Sequence, residues 1–141
     1  MDSLKLKTAE SGPGITPLVR PGGRICAIGE LADGGRGLRF VLETAGAVHP
    51  AFVVRYAGRV YGYLNKCAHR GLELDWTEGE FFDADRRYLI CASHGARYDP
   101  ASGACIDGPC AGRGLTALAL ELDREAVRLA RDLPVPGWAG D

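Results

Sequence analysis

Glycine and proline cut this chain into short pieces. Its 141 residues include 20 Gly and 8 Pro, and unbroken apolar runs are only a few residues long, as at Ala117–Leu120. The glycines follow no three-residue period, which excludes a collagen-like chain, and 46% hydrophobic residues is too many for disorder. Short apolar segments between turn residues predict an all-β domain, an antiparallel sandwich or barrel. The predicted strands are Arg24–Ile28, Leu38–Glu43, Phe52–Tyr56, Val60–Asn65, Glu80–Phe82, Tyr88–Cys91, Ala104–Ile106 and Thr116–Leu122. The breaks are Asp33-Gly34-Gly35, Ala57-Gly58, Asp83-Ala84-Asp85, Pro100–Gly103 and Gly108-Pro109.

Residues 1–23, with Pro13, Pro17, Pro21 and no sustained period, read as a loosely ordered N-terminal arm. One domain follows over residues 24–131, then a C-terminal tail over 132–141. Ala126–Arg131 fits either a short helix or a final strand paired to Thr116–Leu122, and the strand is preferred. Lys+Arg (17) and Asp+Glu (18) nearly cancel, giving a net charge of −1. That excludes the strong positive field of a general nucleic-acid binder. A spanning helix needs roughly 20 apolar residues, and nothing here approaches that; the N-terminus also lacks a signal-peptide core. The expected location is the cytoplasm, with no membrane partner. In that reducing compartment the five cysteines are expected as metal ligands, buried residues or nucleophiles rather than disulfide partners.

Two segments stand out: Cys67-Ala68-His69-Arg70-Gly71 and Cys91-Ala92-Ser93-His94-Gly95. Each joins a thiolate to an imidazole, one at C-x-H and the other at C-x-x-H spacing. Each follows a predicted strand, so the two loops can lie side by side at one end of a sheet. Gly71 and Gly95 would let the backbone approach a bound group closely. Three readings are open. The histidines are surface residues and the cysteines apolar fillers; or the four groups hold a structural zinc; or they hold a [2Fe–2S] cluster, Cys₂ on one iron and His₂ on the other. Zinc sites usually group two cysteines and then two histidines. The split pattern suits the cluster, since each loop can send its Cys to one iron and its His to the other.

At these residues the chain resembles the Rieske family. CAHRG and CASHGARYD, with Arg70–Ile90 between the His of the first and the Cys of the second, are similar to that family's two cluster-binding loops, and Gly108-Pro109 is similar to its proline loop. The resemblance runs from about Ile25 to Leu129. It implies small antiparallel sheets with a cluster-binding subdomain, about residues 65–114, inserted between strands. It also implies one [2Fe–2S] cluster per chain, Cys67 and Cys91 on the inner iron, His69 and His94 on the outer. Gly95, Tyr98 and Pro109 would surround it, and Arg70, Arg97 and Arg113 would ring its exposed edge as a docking surface. Ala126–Arg131 becomes a strand.

Some positions depart from the family pattern. Leu72 and Ser93 stand where respiratory-complex members carry two further cysteines joined as a disulfide. Ala92 replaces a common Pro, and Ala96 replaces a Ser of high-potential members. Soluble Rieske ferredoxins match the chain in size and layout. They imply a one-electron carrier between an NAD(P)H-dependent flavoprotein reductase and a terminal oxygenase, and no enzyme activity in this chain. After the cluster takes two histidines, His49 alone remains, in a predicted loop before Pro50, so a second, mononuclear iron has no ligands. No nucleotide-binding motif is present. A small subunit of a reductase such as nitrite reductase and a cluster-based redox sensor are the competing classes. Cys26 and Cys105 are expected in the core, and Cys110 close to the cluster.

Overall fold

A computed structural model describes residues 16–66, 73–75, 77–92, 95–108 and 113–131. In chain order its strands are β1 (Leu18–Val19), β2 (Arg24–Ala27), β3 (Leu38–Thr44), β4 (Ala47–Tyr56), β5 (Arg59–Leu64) and β6 (Leu89–Ile90). Then come β7 (Arg97–Tyr98), β8 (Cys105–Asp107), β9 (Ala117–Leu118), β10 (Leu120–Asp123) and β11 (Ala126–Leu129). They form three sheets, ordered β1-β3-β4-β5-β9, β10-β11-β2 and β6-β7-β8. All pairings are antiparallel except β1 with β3. Among the described residues no helix is long and apolar enough to cross a membrane.

The apolar run Ala51-Phe52-Val53-Val54 in β4 explains the layering. All four residues are buried, as a strand covered on both faces requires. Side chains alternate along a strand, so the run feeds two cores. Ala51 and Val53 join Phe40, Leu42, Val127 and Leu129 in the core shared with the β10-β11-β2 sheet. Phe52 and Val54 join Leu74, Phe81, Leu89, Cys91 and Tyr98 on the other side. The five-stranded sheet is therefore the middle layer, and the small β6-β7-β8 sheet is packed on its second face. Phe52 and Phe81 stack there with ring centroids 3.9 Å apart. The β4–β5 turn, Ala57-Gly58, has φ of 52° and 81°, the geometry of a tight primed hairpin.

The architecture is the expected all-β one, and Ala126–Leu129 is a strand paired to both β10 and β2. Several details differ. His49 lies within β4, opposite Leu42, rather than in a loop. Pro50 is tolerated there because its missing N–H falls beyond the last β4–β5 pair, Ala51 with Leu64. Glu80–Phe82 makes only an isolated bridge, Phe82 with Leu89; Asp83 turns the chain at once, its Oδ1 accepting the Arg87 N–H at 3.1 Å. Thr116–Leu122 divides at Ala119, β9 pairing with β5 and β10 with β11. Leu18–Val19, within the expected arm, pairs with β3.

Candidate metal centre

The β6–β7 hairpin builds the second Cys/His segment. Leu89 pairs with Tyr98 and Ile90 with Arg97, which brings Cys91 back towards Ala96. The Cys91 N–H donates to the Ala96 carbonyl at 2.9 Å, and the Gly95 N–H donates to the Cys91 carbonyl at 2.8 Å. Gly95 closes the turn at φ 73°, where a side chain would be strained. Cys91, Ala96 and Tyr98 are each fully buried, while the neighbouring Ala92 is exposed. The thiol thus sits at the edge of an apolar cluster, one residue from solvent. The segment leading to Pro109 packs against this hairpin: a Cβ on Gly108, at φ 97°, would meet the Ala96 Cα at 2.9 Å.

The first Cys/His segment is held at its two ends. Asn65 directly follows β5 and is buried. Its Oδ1 accepts the Leu74 N–H at 2.8 Å, and its Nδ2 donates to Asp75 Oδ1 at 3.0 Å. Asp75 Oδ2 accepts the Gly79 N–H at 2.9 Å and lies 3.6 Å from Arg39 Nε. Arg39 also pairs with Glu73. The Leu74 carbonyl accepts the Ala92 N–H at 3.0 Å, joining the first segment to the second. These residues escaped the reading of the sequence. An Asn ending an apolar strand two positions before Cys67 was the one available signal.

The structure therefore brings Cys91, Gly95 and Tyr98 together with Gly108. Cys67, His69, Arg70, His94, Pro109 and Cys110 lie outside the described residues. Among the described residues no three metal-binding side chains cluster, as three of the four expected ligands are elsewhere. What is described fits an iron–sulfur group: a buried thiol, suited as a thiolate to soft metal, lies in a hairpin turn with the small residues Gly95 and Ala96, against which Gly108 packs. Arg97 leans on Asp83, Nη1 to Oδ2 3.8 Å. Arg113 is exposed and its carbonyl accepts the Cys105 N–H at 3.0 Å.

The other cysteines divide by environment. Cys26 is in the far core, as expected, and burial first, with Glu30 next, pushes its thiol from 9.0 up to about 11. Cys105 is partly buried and disulfide-bonded, which corrects the expectation that no cysteine here is a disulfide partner. It lies at the start of β8, packed against the margin of the Phe52–Tyr98 core cluster, and the next two residues of the strand are exposed.

The Rieske [2Fe–2S] domain model matches residues 23–129. Comparison with curated proteins finds no match. Among solved structures, the ferredoxin of carbazole 1,9a-dioxygenase from Nocardioides aromaticivorans IC177 is 24% identical, with a TM-score of 0.60 over 78% of this chain and 97% of that one. A ferredoxin from a complex of reduced oxygenase and oxidized ferredoxin in carbazole 1,9a-dioxygenase is 20% identical, with a TM-score of 0.61 over 80% of this chain and 95% of the matched one. The plasma membrane Rieske protein PetC3 from Synechocystis PCC 6803 is 19% identical, with a TM-score of 0.52 over 75% and 96%. At these identities the likeness establishes a common fold.

Proposed function

The chain belongs to the Rieske [2Fe–2S] domain family, whose model covers residues 23–129, and on that premise we propose that it is a one-electron carrier of ferredoxin type. In this reading Cys67 and Cys91 hold one iron, His69 and His94 the other. A flavoprotein reductase fed by NAD(P)H is the donor and a terminal oxygenase the acceptor. When bound, the cluster supplies reversible one-electron chemistry. The protein's own part is to hold and shield it. Cys91 is fixed by the Cys91–Ala96 and Gly95–Cys91 hydrogen bonds, and the apolar cluster of Leu74, Phe81, Leu89 and Tyr98 keeps water from its sulfur. Such surroundings tune potential through polarity and hydrogen bonding.

The observation that carries the reading is that the shared fold spans 97% of a chain that is itself the ferredoxin of a dioxygenase. The test is anaerobic purification followed by assay of iron and sulfide, then stopped-flow mixing with a flavoprotein reductase and NAD(P)H. Two irons and two sulfides per chain, reduction by the reductase and reoxidation by an added Rieske oxygenase are expected. A protein that contains zinc, or a cluster that neither component reduces or oxidises, would falsify the reading.

A further inference from the structure

Among the described residues, the fold buries two polar residues, Asn65 and Asp75, and they are hydrogen-bonded to each other at 3.0 Å. A carboxylate inside a protein is costly unless paired and fully hydrogen-bonded, and such pairs add little to stability over apolar substitutes. Their position is informative. Asn65 stands two residues before Cys67, and Leu74 stands five after His69. The Asn65 side chain holds the Leu74 N–H, so it joins the two ends of the segment that carries both ligands. Leu74 then uses its carbonyl to hold Ala92, the neighbour of Cys91. A continuous relay thus runs from the first ligand segment to the second. Arg39, on β3 of the middle sheet, supplies the countercharge to Asp75 and pins the relay to the sheet.

We propose that Asn65, Asp75 and Arg39 are positioning residues: a buried clasp that fixes the spacing between the two ligand segments and so governs how firmly the cluster is held. The proposal rests on the reading that these segments bind the cluster. None of the three residues is a ligand. Asn65→Ala leaves the buried Leu74 N–H and Asp75 Oδ1 each without the clasp partner they have now. Arg39→Met keeps every hydrogen bond of Asn65 and Asp75 but removes the charge 3.6 Å from the buried carboxylate.

The experiment follows cluster loss from the full-length, cluster-loaded protein in excess chelator, by visible absorbance, beside the reduced-state EPR spectrum. Outer contacts of this kind typically change metal affinity 10- to 100-fold, so both variants are expected to lose the cluster roughly 10- to 100-fold faster, with altered g anisotropy. Val127→Ala, in the core on the opposite face of the middle sheet, is the control for lost stability alone. If it bleaches as fast as a clasp variant of equal melting temperature, or if Arg39→Met matches wild type in rate and spectrum, the clasp is overturned. A wild-type protein without iron and sulfide would instead refute the function reading on which the clasp depends.

Discussion

Tyr98 and Cys91 are both fully buried in one apolar cluster, and the disulfide-bonded Cys105 pairs with Tyr98 across β7 and β8. The resemblance implies that Tyr98 would donate to a cysteine sulfur of a bound cluster, while Ala96 offers no hydroxyl for a second such bond. A neutral hydrogen bond contributes about 1 kcal/mol net. If it acts chiefly on the reduced, more negative cluster, that is on the order of 40 mV for one electron. Tyr98→Phe is therefore expected to lower the midpoint potential by tens of millivolts, read by protein-film voltammetry; an unchanged potential would remove Tyr98 from the tuning. Cys26 offers the contrast within the same chain. Its thiol, held near 11 by burial, stays protonated at neutral pH and has the properties of a small apolar residue. Residue type alone does not separate these two cysteines; the packing around each does.

Phe81, whose carbonyl accepts the Ile90 N–H of the β6–β7 hairpin at 2.8 Å, stacks on Phe52 of the middle sheet with the rings 11° from parallel. Both rings are fully buried. Truncating a buried Phe costs about 3–5 kcal/mol, so Phe81→Ala is expected to lower the guanidinium midpoint sharply while leaving the slope unchanged. A loss under about 1 kcal/mol would mean the hairpin is held by other contacts. The strands that sequence patterning located, among them β3 and β5, are those whose apolar period and flanking turn residues agree, whereas the pattern at β11 fitted helix or strand alike. Others exist because of the strands they pair with. β1 and β7 are two residues long, too short to carry a period, and are strands because β3 and β6 pair with them. Ala119 divides one apolar run between two sheets, which no local rule detects. The same holds for the site. The C-x-H and C-x-x-H spacings were legible because each Cys/His pair is local in the sequence. The Asn65–Asp75–Arg39 clasp was not, because it assembles from β3, the end of β5 and the segment after the first ligands.

Taken as a whole, the molecule carries almost no net charge, −1, so long-range attraction to a partner must come from how its charges are placed. Arg70, Arg97 and Arg113 follow the two ligand segments and the proline loop in sequence. In the structure Arg97 and Arg113 flank β8: Arg97 pairs with Asp107, and the Arg113 carbonyl takes the Cys105 N–H. Asp83, 3.8 Å from Arg97 and with its own side chain only 9% exposed, offsets part of that charge. A positive rim beside the cluster would steer the protein to an acidic patch around its partner's acceptor, mainly by raising the association rate. Screening then sets the test, because the Debye length shrinks from about 10 Å at 0.1 M salt to roughly 3 Å at 1 M. The second-order rate of electron transfer to the partner is expected to fall as salt rises. Arg70→Glu should slow it at low salt more than Arg97→Glu, since Asp83 already opposes Arg97, and neither should move the potential beyond a few tens of millivolts, an order-of-magnitude allowance for exposed charges. Rates that ignore both salt and charge reversal would place docking on apolar contacts, and the exposed Ile106 of β8 would be the residue to change next.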